Sequence, residues 1–330
     1  MANWLELNRA VKAAISSRDF RTAEAQLAEL RAEADRSGQP ELVCNTHFTQ
    51  GLLRDAQGRW EEAEAAFLAA LKMDRELHGN DSKNVADTLH SVAIVRVHRG
   101  DHAAALQAFQ EEAAIFAKIQ VFHRARALCA VAEQLLALNR HEEALATFEE
   151  SIQAARKEPL TPVHDAARAF LGAGETLRRT KQFAGAVGKF SMVTQLARAK
   201  MWPELADSIA RAWYQLGIVS RYAIQGSQVQ AAIAFWYASV LGSPAIRQNA
   251  DRELAAMPEK LLVTGDPTLF RVVYVDAAGN MHLASARRGL FHFKAPLEAA
   301  LGEVVEVTLD GYTVRAVART ENGRLGGAGG

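Results

Sequence analysis

Residues 58–71 read GRWEEAEAAFLAAL, in which an aromatic residue follows a turn residue by two positions, before a small residue and a large apolar one. Related segments occupy 18–30, 100–113, 139–152 and 181–194, with a looser sixth at 226–240. The small residues at the shared position are Ala23, Ala63, Ala105, Ala144, Ala186 and Ala232. The first five are separated by 40, 42, 39 and 42 positions, a spacing typical of stacked helical hairpins.

A second small residue lies near the middle of the helix predicted before each of the last five segments. These residues are Gly51, Ala93, Ala132, Gly174 and Gly217. Only Gly or Ala allows two helix backbones to approach closely, so aromatic side chains are expected to fill the space between hairpins. The expected core aromatics are Trp60, Phe67, Phe109, Phe148, Phe183 and Phe190.

The pattern resembles the tetratricopeptide family, and residues 70–109 look particularly like the longer repeats of kinesin light chains and of bacterial peptide-sensing regulators. The resemblance implies a mostly α fold: a solenoid of about six hairpins over residues 1–258, closed by a capping helix in SPAIRQNADRELAAM. The sequence departs from the family at Arg54 and Arg96, where the first helix usually carries an aromatic residue.

Composition argues against several classes of function. Lys plus Arg and Asp plus Glu number 38 each, so no global charge favours nucleic acid or an anionic membrane. The start MANWLELNRAVKAA lacks a secretion-signal profile and no long apolar run is present, which predicts a cytoplasmic protein. Cys44 and Cys129 are expected to be buried free thiols. No zinc, phosphate-loop or nucleophile signature is found, so neither a cofactor, a metal nor an enzymatic activity is predicted.

In the tetratricopeptide family, the first helix of each hairpin lines a concave groove. Carried onto this sequence, the inward positions in the first half are Asn45, Phe48, Asp55, Asp87, His90, His98, Arg126 and Glu133. Farther along they are Arg168, Glu175, Arg178, Arg179, Arg211, Tyr214, Arg221 and Tyr222. The second group is basic, which predicts binding of an acidic or carboxylate-ended peptide. The alternative is a solvated face whose arginines pair with nearby glutamates.

The residue pattern changes from helical to strand-like after residue 258. The segments LFRVVYVD and MHLASAR predict one hairpin, APLEAALG a short helix, and EVVEVTLD and YTVRAVART a second hairpin around Asp310-Gly311. A small α+β domain with ββαββ order is therefore expected at 259–322. A flexible glycine-rich tail is expected at 323–330.

Two families resemble this small domain. The run APLEAALGEVVEVTLDGYTVRAVA, with Pro296, Leu297, Leu301 and Gly302, looks like the last domain of Gre-type transcript cleavage factors, which implies contact with RNA polymerase. The hairpin, helix, hairpin order also resembles a ubiquitin-like β-grasp, which implies an activating enzyme as partner. The tail that would then be conjugated contains Gly326, Gly327, Gly329 and Gly330.

The sequence as a whole predicts a non-enzymatic adaptor. The groove is expected to hold a protein or peptide, and the C-terminal domain to contact a second partner. The alternatives are a ubiquitin-like modifier attached through its glycine tail and an RNA-polymerase-associated factor.

Overall fold

The computed structural model describes residues 2–119, 123–157, 162–199, 205–222 and 228–257, together with strands at 269–275, 280–285, 289–294, 304–310 and 313–319. The chain divides into two compact units, unit 1 at Met1–Gly172 and unit 2 at Ala173–Gly330.

Thirteen helices lie within the described residues. They are α1 Ala2–Ser16, α2 Phe20–Ser37, α3 Pro40–Ala56, α4 Trp60–His78, α5 Lys83–His98, α6 His102–Ile119, α7 Arg124–Ala137, α8 His141–Lys157, α9 Val163–Arg179, α10 Phe183–Ala199, α11 Ala206–Tyr222, α12 Gln228–Leu241 and α13 Pro244–Ala255. The helices α1 to α12 form the six predicted helix pairs, each with a first and a second helix. The predicted capping helix is α13.

The turn inside five of the hairpins has one repeated geometry. The residue that ends it has a positive φ in each case: Arg18, Gly58, Gly100, Asn139 and Lys181. The next amide bonds back to a carbonyl five residues earlier, as from Arg59 N to Arg54 O at 2.9 Å. This arrangement satisfies carbonyls that the end of the first helix leaves unpaired. The turn residue noted in the sequence is therefore the left-handed residue that directly follows the helix C-cap.

Close packing between the two helices of a hairpin depends on the predicted small residues. A Cβ added at Gly51 would lie 2.6 Å from Phe67, and one added at Gly174 would lie 2.5 Å from Phe190. Gly217 meets a phenylalanine of the next helix in the same way. The fully buried phenylalanines are Phe67, Phe109, Phe116, Phe148, Phe190 and Phe235. The six repeated alanines are buried as well: Ala23, Ala63, Ala105, Ala144, Ala186 and Ala232.

Two of the expected core aromatics are not buried. Trp60 is 36% exposed and lies 6.2 Å from the His98 ring, between ring centroids. Phe183 is half-buried. Both are the first residue of their helix, where the side chain extends past the end of the helix packing. The prediction that they fill the core was wrong.

Arg54 and Arg96 replace the family's aromatic residue with ion pairs between successive hairpins. Arg54, whose side chain is 13% exposed, binds Glu24 of the preceding hairpin through both Nη atoms. Arg96 binds Glu64 through Nε at 2.8 Å and the Ala104 carbonyl at 3.2 Å. The long arginine stem covers apolar surface while the guanidinium meets a carboxylate, so the position remains packed.

The following junction in unit 1 is apolar at the same two positions. Leu135 lies three residues after Ala132, as Arg96 lies three after Ala93. Leu106 follows Ala105 as Glu64 follows Ala63. Both leucines are buried. The stacking of hairpins therefore uses charged pairs at the first junctions and leucines at the next.

The C-terminal strands form one antiparallel sheet in the order β3-β2-β1-β4-β5. The strands are β1 Leu269–Val275, β2 Asn280–Ser285, β3 Gly289–Lys294, β4 Val304–Asp310 and β5 Thr313–Arg319. Both predicted hairpins are present, but β3 makes a fifth strand where four were expected. The edge strands β3 and β5 approach each other, so the sheet is curled. Val305 is buried in it.

Other C-terminal predictions lie outside the described residues. These are the short helix in APLEAALG and the glycine tail. The choice between the Gre-type and β-grasp resemblances therefore stays a prediction.

Exchanging Gly174 for alanine should destabilise unit 2 despite the higher helix propensity of alanine. The added methyl would clash with Phe190, an overpacking cost of about 1–3 kcal/mol that outweighs a propensity gain of about 1 kcal/mol. The matched control is Gly188→Ala in α10, whose new Cβ would meet nothing within 4 Å. Urea unfolding should show a lower midpoint for G174A and a higher one for G188A. Equal stabilisation by both would contradict the close-packing account.

Replacing the charged pair at the first junction tests whether it is exchangeable for leucines. Arg54→Leu alone should lower the unfolding free energy by about 1–2 kcal/mol, because Glu24 loses its main partner. Adding Glu24→Leu should restore most of it, since the pair then copies Leu106 and Leu135. Unfolding midpoints of the two single variants and the double variant measure the coupling, and strictly additive effects would refute it.

Candidate functional site

Unit 1 has a layer of first helices and a layer of second helices. Polar contacts join α1 to α3, α3 to α5 and α7 to α9. They are Thr49 Oγ1 to Asn8 Oδ1 at 2.8 Å, His98 Nδ1 with Asp55 Oδ1 at 2.8 Å, and Arg168 Nε to Glu133 Oε1 at 2.6 Å. In the second layer, Arg75 of α4 binds Glu111 of α6 at 2.7 Å. The first layer presents one face, here termed the first-helix face.

The residues predicted to point inward in unit 1 lie on the first helices α3, α5, α7 and α9. They are Asn45, Phe48, Asp55, Asp87, His90, His98, Arg126, Glu133 and Arg168. Asn45 donates to the Glu41 carbonyl of its own helix at 2.9 Å, and Asp87 pairs with Lys83 one turn away. The Phe48 ring stands edge-on to Phe67 at 5.3 Å between centroids. Polar groups and one aromatic ring thus share the surface.

His90 and Arg126 meet at a fully buried carboxylate. Glu112 is 0% exposed; its Oε2 lies 3.0 Å from His90 Nδ1 and its Oε1 accepts from Arg126 Nη2 at 3.3 Å. The Nε of Arg126 is buried and has no hydrogen-bond partner. The buried charge of Glu112 is compensated by two groups at the surface, an arrangement that holds both side chains over α6.

Arg168 is held by more hydrogen bonds than Arg126. Both its Nε and Nη2 bind the Glu133 carboxylate as a fork. Burial alone would lower the pKa of Arg168, but the hydrogen bonds and charge of Glu133 outweigh it and raise that pKa. Cys129, below this pair, is a buried free thiol whose pKa is raised by burial and then by Glu133. The thiol is therefore not a nucleophile at neutral pH.

In unit 2, Glu175 neutralises two of the predicted arginines. Arg178 Nε and Nη2 bind it at 2.8 and 2.7 Å, and Arg179 Nε at 2.9 Å. Burial would raise the pKa of Glu175, but these hydrogen bonds prevail and lower it below its usual 4.5.

Helix α11 carries the other predicted residues of unit 2, Arg211, Tyr214, Arg221 and Tyr222. Arg221 binds the Glu253 carbonyl and carboxylate at 2.7 and 2.8 Å and the Ala256 carbonyl at 3.1 Å, which caps the end of α13. Tyr222 donates to the same Glu253 carboxylate at 2.8 Å. The remaining two residues also have partners: Arg211 pairs with Asp207 at 2.9 Å, and the Tyr214 ring packs against Phe235.

Each of the six predicted arginines therefore already bonds to a carboxylate of this chain. This is the arrangement that the alternative interpretation of the sequence expected. Capture of an acidic ligand by these arginines, with Tyr214 and Tyr222, stays a prediction. Arg126 has the longest of these contacts, at 3.3 Å, and is therefore the arginine held least tightly by a carboxylate of the chain.

A cavity of about 270 Å³ opens where α3, α4 and α5 meet in unit 1. Its lining residues are Glu41, Cys44, Asn45, Phe48, Asp74, His78, Asn84, Asp87 and Thr88. Sequence reasoning selected Asn45, Phe48 and Asp87 but missed Asp74. A signal was present: Asp74 continues the buried stripe of Ala63, Phe67 and Ala70 at helical spacing. A carboxylate at a core position of an amphipathic helix indicates a special environment.

Two properties of the described residues bear on function. They contain no cluster of three or more His, Cys, Asp or Glu side chains placed to hold a metal ion. None of their helices combines the length and apolar character that crossing a bilayer requires.

Sequence comparison identifies the repeat. Residues 42–118 match the model of the tetratricopeptide repeat. They include α3 to α6 apart from the first residues of α3, so the second and third hairpins are tetratricopeptide repeats. No curated protein matches the chain.

Solved structures extend the likeness along the chain. BtubC (BKLC) from P. vanneervenii is 18% identical with a TM-score of 0.53, covering 57% of this chain and 77% of its own. The repeats of a putative kinesin light chain from Podosopora anserina are 13% identical with a TM-score of 0.53, covering 61% and 98%. PilF from Pseudomonas aeruginosa is 13% identical with a TM-score of 0.51, covering 76% and 97%. At such identities the likeness shows the fold alone, and it confirms the kinesin-light-chain-like repeats at that level.

Glu175→Gln should remove a pH-dependent contribution to stability. Because the folded pKa is lowered, the carboxylate stabilises unit 2 fully above pH 4.5 and loses that effect as the pH falls through the folded value. At pH 7 the variant should unfold about 1 kcal/mol more easily, a value reduced by the exposure of both arginines. Thermal unfolding at pH 7 and pH 3 should show the difference shrinking in acid. The exposed Glu29→Gln is the control, and a pH-independent difference would contradict the assignment.

Proposed function

We propose that this protein is a non-catalytic adaptor that binds an extended protein or peptide segment along the first-helix face of unit 1. The observation that supports it is the cavity between α3, α4 and α5. It is lined from two successive tetratricopeptide hairpins, and three of its nine lining residues, Asn45, Phe48 and Asp87, are ones that the sequence predicts to point inward from the first helices. A partner lying across the hairpins would place one side chain in this cavity and rest on the polar groups to either side.

Stacked hairpins suit this role because their shape is set by the core and not by the face. The buried alanines, glycines and phenylalanines determine how neighbouring hairpins pack, which leaves the surface of the first helices free to vary. Arg126, with a single 3.3 Å contact to Glu112, is the group on this face that a ligand carboxylate would recruit.

We also propose that the C-terminal sheet contacts a second partner. The described strands form an antiparallel sheet, which is a different kind of surface from stacked helices, and adaptors join partners through separate surfaces. The proposed partners are proteins in both cases.

Photo-crosslinking from defined positions tests the binding face. Benzoylphenylalanine placed at Asn45 or His98 of the full chain, expressed in its host, should crosslink one partner, because both positions lie on the first-helix face. The same residue at Gln107 or Gln110, exposed on the second helix α6, is the matched control and should not.

A synthetic peptide covering the crosslinked segment should then bind the purified chain in fluorescence anisotropy and compete with crosslinking. Equal crosslinking from α6 positions, or no competition by the peptide, would refute the proposed face.

A further inference from the structure

The cavity between α3, α4 and α5 is rich in hydrogen-bond acceptors. Three of its lining residues are acids, Glu41, Asp74 and Asp87. Lys83, the cation paired with Asp87, lies outside the lining, and the carboxylates of Glu41 and Asp74 form no ion pair within the described chain. A group entering this space meets net negative charge and acceptors, and the chemistry calls for a donor-rich cation.

Asp74 is the central observation. It is only 6% exposed, yet its partners are two neutral donors, Thr88 Oγ1 at 2.7 Å and Cys44 Sγ at 3.3 Å. A carboxylate accepts about four hydrogen bonds, so capacity is left on the cavity side. An ionised carboxylate removed from water is costly unless a cation pairs with it, and no cation of the described residues does so.

Two neighbours of Asp74 matter for the potential: the Cys44 thiol stays neutral, and the end of α4 adds partial negative charge. The thiol of Cys44 has its pKa raised to about 12, first by burial and then by the charge of Asp74. The last turn of α4, which supplies His78, lies at the same cavity, and a helix C-terminus carries partial negative charge. Asn45 donates one amide proton to its own helix, and its side-chain carbonyl oxygen is a further acceptor at the cavity.

The shape and the apolar wall fit a long side chain. A volume of about 270 Å³ equals roughly nine liquid waters at ~30 Å³ each. The Phe48 ring, held edge-on against Phe67, provides a face for methylene groups and for stacking of a planar cation. A guanidinium combines five donors with a flat surface, which a lysine ammonium does not.

We propose that this cavity is the subsite that receives an arginine side chain of the bound segment, with Asp74, Glu41 and Asp87 as its acceptors. This subsite rests on the proposed function and specifies its ligand. Charge complementarity selects an arginine-bearing peptide over an acidic one at this end of the first-helix face.

N-acetyl-arginine N-methylamide is the probe, and the neutral isostere N-acetyl-citrulline N-methylamide is its matched comparison. Titration into the isotope-labelled full chain, followed by NMR, should shift the side-chain amide signals of Asn45 and Asn84. The citrulline compound should bind at least about tenfold more weakly, since it lacks the charge that one charge-assisted hydrogen bond requires. Added salt should weaken arginine binding.

Variants separate the subsite from a general effect of charge. Glu41→Gln combined with Asp87→Asn should weaken probe binding about tenfold or more without unfolding the chain, because both side chains are at the surface. Glu76→Gln, exposed on α4 outside the cavity, removes one negative charge where the double variant removes two, and it should leave binding unchanged. Probe binding by Asp74→Asn is a further test of the subsite, provided that the thermal unfolding of this variant matches wild type.

Equal affinity for the two compounds, or unchanged binding in the Glu41 and Asp87 double variant, would overturn the arginine subsite. Such a result beside successful crosslinking from Asn45 and His98 would remove the subsite and leave the proposed function in place. Probe binding without any crosslinked partner would support the subsite and count against the proposed function.

Discussion

The structure depends on how closely two helix backbones approach opposite a phenylalanine ring. Gly51, Gly174 and Gly217 each face such a ring at distances that no Cβ could share. Ala93 and Ala132 occupy the corresponding positions in the third and fourth hairpins and are fully buried. The ring fills the gap that the small residue leaves, so each hairpin is fixed by one small and one large partner. The positions of the side chains on the first helices therefore depend on this contact.

Packing between successive hairpins tolerates more variety than packing within them. One junction in unit 1 uses Arg96 with Glu64, and the next uses Leu106 and Leu135 at equivalent positions. An arginine with a fixed carboxylate and a pair of leucines fill similar space, but only the former demands a matching charge. Charged junctions therefore favour one neighbour over another, whereas apolar junctions favour any hairpin of the right shape.

Most of the helical fold could be predicted from the sequence because two sets of residues recur with the repeat. One set is the alanines of the second helices, and the other is the small residues of the first helices. The glycine or polar turn before each second helix added a third signal, since residues such as Gly58 and Asn139 take positive φ there. Trp60 and Phe183 were misplaced because helical spacing does not say where a helix starts. The strand at Gly289–Lys294 was missed because its segment lies directly between Arg287-Arg288 and the predicted helix in the sequence.

The site was less predictable because pairing is a property of contacts between helices. Arg178 and Glu175 are three residues apart and could be paired on one helix, but Arg221 finds Glu253 across 32 positions, which spacing does not reveal. The inward arginines looked like free positive charge, and the fold compensates them with its own carboxylates. Asp74 is the reverse case: its charge is buried on the helical stripe beside a cavity and has no cation from the described chain. The cavity beside Asp74 should therefore discriminate partners by the positive charge they bring, because no cation of the described residues pairs with this buried carboxylate.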